Sequence, residues 1–356
     1  MDTLSPLEIC WFGALCDDDY EFLGVSDPTL VSSWEHCRDI ALLSERAGFD
    51  NILLPSGYEL GIDTVAFASA IAPLLGRMRV LVAVRCGETW PPQLARQLAS
   101  LDQILGPDVA GRSRLTINII SSDLPGESLE SEVRYRRTAE VMAILRAGFG
   151  GDELEHYGSF YDLDIKTSRI ASSMDGCPPL YFGGLSDAAR TVAAEQADVY
   201  LMWPDTLGGV ESLISNMRQR ATEAGRTLRF GFRVHVVVRE TEAEARDAAT
   251  RLLSRLDDTE GERIRRRSLD SRSVGVARQT ELRDGADVDG YVDRHLWTGI
   301  GRARSGCGAA IVGDPAQVAA TMRHYAEVGI DTFILSGYPH LQEAQRFSDL
   351  VMPLLR

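Results

Sequence analysis

"DTFILSGYPH" (residues 331–340) is the stretch on which the fold turns. Phe333, Ile334 and Leu335 form a continuous apolar run, too short for a helix and closed by Gly337 and Pro339. Continuous rather than alternating apolarity marks a strand covered on both faces, as in a parallel sheet. With Thr332–Leu335 as the last, similar runs recur back to the N-terminus: Glu8–Phe12, Asn51–Leu54, Val80–Val84, Leu115–Ile120, Leu180–Phe182, Val199–Leu201 and Phe230–Val238. Amphipathic stretches separate them, such as "LARQLASLDQIL" (94–105), "YRRTAEVMAILRAGF" (135–149) and "SDAARTVAAEQA" (186–197). Eight strands alternating with helices predict an α/β fold, a (β/α)8 TIM barrel with insertions. A doubly wound open sheet is the alternative, but it usually opens on a glycine-rich turn. The first turn here, "GALCDDDYEFLG" (13–24), has neither GxGxxG nor a Walker A pattern.

The chain has 356 residues, enough for one barrel domain over residues 1–356 with two additions. Residues 150–178 lack helical periodicity and read as an inserted hairpin or loop. Residues 257–309 are rich in arginine and glycine and read as an active-site lid or a poorly ordered loop. The net charge of −15 argues against a nucleic-acid or anionic-membrane surface, while leaving room for a small organic anion in a local arginine pocket. No apolar run approaches a membrane span, and no basic n-region with a long apolar stretch opens the chain. Cys10, Cys16, Cys37, Cys86, Cys177 and Cys307 are scattered without CxxC spacing, as reduced cytoplasmic thiols would be. HxH, HExxH and paired-carboxylate motifs are missing, so no metal site is expected.

In a barrel the C-terminal ends of the strands line the active site, which makes polar residues there informative. The ends offer Ser56-Gly57-Tyr58, Arg85-Cys86-Gly87, Asn118 with Ser121-Ser122-Asp123, Gly183-Gly184-Leu185-Ser186, Trp203-Pro204, Arg233 with His235, and Tyr338 with His340. Arg233 and His235 are the sharpest pair. In "FGFRVHVVV" they alternate with Phe232, Val234 and Val236, so both face the barrel interior if the apolar face meets the helices. An unpaired charge there is expensive, which favours a site over a structural ion pair. "YFGGLSDAAR" (181–190) leads a strand through two glycines into a helix start, suited either to a phosphate or to an ordinary capped turn. Tyr135 on its own reads as a structural aromatic, His36 and His324 as helical residues, and His340 as the start of the last helix rather than part of the chemistry.

The C-terminal stretch 296–355, opening "LWTGIGRARSGCGAAIVGDP", resembles the end of the bacterial two-component alkanesulfonate monooxygenases, which are luciferase-like flavin monooxygenases. "LVAVRCG" (81–87), "LTINII" (115–120), "PPLYFGGLSDAA" (178–189) and "RFGFRVHVVVRETEAEA" (229–245) extend the resemblance along the chain in the same order. It implies an eight-stranded barrel and an enzyme that takes FMN as FMNH2 from a separate NAD(P)H-dependent FMN reductase. O2 adds to the flavin at C4a, and the resulting peroxide oxidises an organosulfonate or related small organic anion, with C–S cleavage to sulfite and a carbonyl product. It further implies a homodimer or homotetramer.

The resemblance assigns roles residue by residue. Tyr135, Gly184 and Ser186 would hold the FMN phosphate, and Asn118 would lie beside the isoalloxazine ring. Arg233, His235 and Tyr338 match the polar cluster facing substrate, and Arg304 matches an arginine on the mobile loop that closes over it. Two guanidinium groups suit a sulfonate, since each can make paired charge-assisted bonds to its oxygens. Three turns depart from the family pattern. Cys16 stands near a family histidine, Leu60 or Gly61 near a family cysteine, and "SSD" (121–123) replaces "TGGD". These leave open another oxygenation, such as Baeyer–Villiger or heteroatom insertion, a deazaflavin-dependent reductase, or a non-catalytic flavin-binding relative.

Overall fold

The computed structural model describes residues 6–57, 61–150, 153–166, 176–266 and 273–356. Its strands, in chain order, are β1 (Glu8–Phe12), β2 (Asn51–Leu54), β3 (Arg79–Arg85), β4 (Leu115–Ile120), β5 (Leu154–Tyr157), β6 (Asp162–Ile165), β7 (Leu180–Phe182), β8 (Val199–Met202), β9 (Arg229–Val238), β10 (Leu296–Trp297), β11 (Ala310–Gly313) and β12 (Thr332–Ser336). The eight apolar runs are all strands, in the order β9-β12-β1-β2-β3-β4-β7-β8. β8 pairs back onto β9, so the parallel sheet closes into a barrel with helices outside it, the (β/α)8 fold expected from the sequence.

Alternation of side chains sorts the sequence between two cores. Phe232, Val234 and Val236 point outward and pack with the helices in the large outer core. Cys10, Phe12, Leu53, Leu81, Ala83, Tyr181, Val199 and Ile334 fill the barrel itself. Below them Glu8 plugs the N-terminal mouth, bonded to Arg79 and Arg229 at 3.1 and 3.0 Å and to Asn51 Nδ2, Tyr181 Oη and Thr332 Oγ1. Polar residues return at the opposite mouth, where β9 carries Arg233 and His235 inward among buried neighbours. The barrel is thus apolar in the middle and polar at both ends.

The first addition contains the antiparallel β5–β6 hairpin. Glu140, on the helix Ser131–Gly150, accepts from the backbone N–H groups of Ser159, Phe160 and Tyr161 and so pins the hairpin turn. The second addition contains the helices Asp258–Arg266 and Val274–Asp284 and the short strand β10. It leads into β11, which the sequence pattern does not reveal. β9 is ten residues long and serves two neighbours on one edge: β8 opposite Arg229–Phe232, then β11 opposite His235–Val238. Tyr58 and Leu60 lie outside the described residues. Among the described residues no helix is long and apolar enough to cross a membrane.

Candidate active site

A cavity of about 320 Å³ opens at the C-terminal mouth of the barrel. Six of the eight residues given roles by the family resemblance line it: Asn118, Tyr135, Gly184, Ser186, Arg233 and Arg304. His235 and Tyr338 are not on its wall; they pack against the residues that are.

One end is a backbone cradle. β7 runs through Gly183 and Gly184 into the helix Asp187–Gln196, whose first turn is capped by Ser186 Oγ accepting from Ala189 N–H at 3.2 Å. Gly184 has φ 153°, and a Cβ there would stand 2.7 Å from Ala189 Cβ and 3.4 Å from the Tyr135 hydroxyl. The position therefore excludes a side chain and brings the phenol of Tyr135 close to the backbone. Tyr200 fixes the turn from below, donating to Gly184 O at 2.7 Å. A helix start with a bare backbone and an adjacent hydroxyl is suited to a phosphate group.

The other end is cationic. Arg233 is 3 % exposed and donates to Val234 O, Ile334 O and Ser336 Oγ, at 3.1, 3.4 and 2.8 Å. Among the described residues no carboxylate lies within ion-pairing distance of it; the nearby Asp18 is bonded to Arg304, so the Arg233 guanidinium faces the cavity without a direct ion pair. Arg304 reaches in from the second addition, ion-paired to Asp18 at 2.7 Å and donating to Tyr338 Oη at 3.0 Å. Burial works against the Asp18 charge, but Arg304, His340 and Arg233 outweigh it and hold the carboxyl below its usual range. Burial raises the Tyr338 phenol, which stays neutral in ordinary buffers.

Behind Arg233, Ser336 Oγ hydrogen-bonds to His235 Nδ1 at 2.7 Å. Burial, then the charges of Arg233 and Arg304, push the imidazole well below its ordinary pKa, so it is neutral. Tyr338 stacks on it with ring centroids 5.2 Å apart. His340 begins the helix His340–Leu350, as the sequence suggests, and its Nδ1 hydrogen-bonds to Phe12 O at 3.0 Å.

The helix Val274–Asp284 covers the cavity. Arg278 binds Asp205 through two bonds of 2.8 Å, and Gln279 donates to Pro204 O at 2.7 Å. Trp203 lies against Gly275 and Gly306, where any Cβ would press on its ring. These covering contacts, and Asp18 and Ser336, carry no distinctive motif in the sequence; Asp18 is one of three consecutive aspartates. The departures from the family pattern that fall on described residues are also placed. Ser122 takes a hydrogen bond from Arg85, Ser121 lines the cavity, and Cys16 is a free thiol raised by burial. Gly61 packs against Leu15 O, where a Cβ has no room.

Residues 22–332 match the profile of luciferase-like monooxygenases. The chain belongs to that family. It is 60 % identical over 347 residues to a sulfoquinovose monooxygenase of Novosphingobium aromaticivorans, covering 97 % of this chain and 96 % of the other. A sulfoquinovose monooxygenase of Agrobacterium fabrum is 48 % identical over 355 residues, covering 99 % and 91 %. Among solved structures, a riboflavin lyase shares the fold with a TM-score of 0.78 at 16 % identity, over 99 % of this chain and 92 % of the other. This enzyme is a monooxygenase of the luciferase-like barrel class.

Proposed function

We propose that the enzyme is a two-component, FMN-dependent monooxygenase that cleaves the C–S bond of a sugar sulfonate of the sulfoquinovose type. The observation that carries this reading is Arg233, a buried guanidinium that faces the cavity and, among the described residues, forms no ion pair, the nearby Asp18 being bonded to Arg304 instead. Such a group is expensive unless an anion completes it. A sulfonate is an anion whose oxygens accept paired guanidinium bonds. The names of the relatives that match along nearly the whole chain agree with it.

The opposite end of the cavity fits a flavin phosphate. Gly184 leaves no space for a side chain, the Tyr135 hydroxyl is adjacent, and Ser186 starts the helix. Tyr135, Gly184 and Ser186 would hold the phosphate, and Asn118 would border the flavin ring. Reduced FMN, when bound, supplies the two electrons that let O2 deliver one oxygen atom to substrate and the other to water. The substrate carbon that carried sulfur leaves as an aldehyde, and sulfur leaves as sulfite.

The chain's own residues bind, orient and exclude water. Arg233 and Arg304 hold the sulfonate. Tyr338 positions Arg304 through its hydroxyl, and neutral His235 supports Arg233 through Ser336. The helix Val274–Asp284 acts as the lid, keeping bulk water from the reacting atoms. A separate NAD(P)H-dependent FMN reductase supplies the reduced flavin, and the enzyme works as a homodimer or homotetramer, as the family resemblance supports; the scattered free cysteines support a cytoplasmic location.

The test is sulfite release. Enzyme, FMN, NAD(P)H, a flavin reductase and air are incubated with sulfoquinovose, and separately with simple alkanesulfonates. Sulfite equal to the substrate consumed is expected from sulfoquinovose. No sulfite from any sulfonate overturns the reading, and reduction by a deazaflavin or oxygenation of a ketone would replace it.

A further inference from the structure

Phe12 stands at the end of β1, and its ring is shared by two cations. The guanidinium carbon of Arg233 lies 4.2 Å from the ring centroid, and that of Arg304 lies 5.4 Å from it. All three side chains line the same cavity. The arginines come from different parts of the chain: Arg233 from the barrel strand β9, Arg304 from the covering segment that precedes β11.

Each arginine is tethered on its own side. Arg233 is fixed by carbonyls of β9 and β12 and by Ser336, whereas Arg304 is fixed by Asp18 and Tyr338. Their charges oppose one another: burial first, and then Arg304, lowers the proton affinity of Arg233. Asp18 pairs with Arg304, and Arg233 has no ion pair among the described residues. The face of a phenyl ring is electron-rich and attracts a cation placed over it, most strongly where water is excluded. Phe12 is 5 % exposed.

We propose that Phe12 is a positioning residue, the platform on which Arg304 of the covering segment docks beside Arg233 so that the two form one oxyanion clamp. This rests on the sulfonate reading given above. Phe12 is fixed in the barrel sheet, so the landing point is rigid while the segment that carries Arg304 is an addition to the barrel. An aliphatic side chain of similar volume fills the space but offers no ring face. Arg304 then keeps its Asp18 and Tyr338 bonds but loses its shared contact with Arg233, and the oxyanion meets one well-placed guanidinium instead of two.

Phe12→Leu and Phe12→Tyr separate ring from volume. The dissociation constant of inorganic sulfate is measured by calorimetry at low ionic strength on the enzyme with FMN present. KM and kcat for sulfoquinovose, and the dissociation constant of reduced FMN, are measured alongside. Phe12→Leu is expected to weaken sulfate and raise KM about tenfold, with reduced FMN bound as in the wild type, and Phe12→Tyr to restore both. Equal impairment of the two variants, unchanged sulfate binding in Phe12→Leu, or a wild type that does not bind sulfate overturns the proposal. Sulfate binding needs no turnover, so a wild type that binds sulfate but releases no sulfite counts against the sulfonate reading alone.

Discussion

Arg304 Nη1 donates to Tyr338 Oη across 3.0 Å, joining the covering segment to the end of the last barrel strand. The phenol is buried and neutral, so it can accept this bond and still hold a proton. Tyr338→Phe keeps the stacking on His235 but removes the acceptor. A fall in kcat of about 100-fold is expected, with reduced FMN bound as before. Arg304→Ala is expected to abolish turnover and spare flavin binding. Steady-state kinetics beside a flavin titration checks both, and wild-type kcat in either variant would remove that residue from the site.

At the opposite end of the cavity, Gly184→Ala places a methyl group 2.7 Å from Ala189 Cβ and 3.4 Å from the Tyr135 hydroxyl, at a φ of 153°. The turn must shift, and with it the backbone proposed to face the phosphate. Affinity for FMN is expected to fall at least about tenfold, while riboflavin, which lacks the phosphate, changes little. Equal losses for FMN and riboflavin would move the phosphate elsewhere.

His235 gives a pH dependence with a definite sign. Burial and the two arginines depress its folded-state pKa well below the ordinary histidine range. Below the unfolded-state value of about 6.5 the unfolded chain therefore binds a proton that the native state refuses. Its stabilising contribution is whole above about pH 6.5 and is lost as pH falls toward the depressed folded-state value, at up to about 1.4 kcal/mol per pH unit. His340 is lowered in the same direction. Chemical denaturation between about pH 5 and 7 should show a shallower acid loss for His235→Asn than for wild type. Parallel curves would mean that His235 takes up its proton in the native state as readily as in the unfolded chain.

Glu8 holds the N-terminal mouth of the barrel together. Burial would raise its pKa, but Arg79, Arg229 and Asn51 outweigh this and keep it ionised. Glu8→Ala leaves its partners facing an apolar space, although Arg229 is partly solvent-exposed and can rehydrate. A loss of about 3 kcal/mol in unfolding free energy is expected, measured by denaturant titration. The cavity lies at the far mouth, so KM for the sulfonate should be unchanged.

The barrel strands were legible because each is covered on both faces and is therefore apolar along its whole length. Their ends extend by a residue or so beyond the apolar run, as at Arg79 and Ser336, because polar side chains at the mouths continue the backbone ladder. β11 was hidden because "AIVG" becomes a strand through pairing with the upper half of β9, a long-range fact with no local mark. The helix Asp258–Arg266, "DTEGERIRR", has almost no apolar stripe from which to read a period. In the site, the rim rule singled out Arg233, His235, Asn118 and Tyr338, and the family resemblance added roles and Arg304. Asp18 escaped notice because its partner is 286 residues away, and Phe12 because it looks like any core aromatic.

β9 acts as a ruler. Its lower half closes the barrel with β8, and its upper half sets the register of β11, with Ala310 opposite His235. The ladder that fixes Arg233 in the floor thereby also meters how far Arg304 projects from the roof. A one-residue slip of β11 would carry its lead-in segment about 3.3 Å along the strand, more than a hydrogen bond tolerates. Segments of different length between the top of β9 and β11 can therefore be exchanged among relatives without moving the floor, provided their last residues keep step with β9. The roof can thus vary in length while Arg233 keeps its place in the floor and the register of β11 keeps Arg304 opposite it.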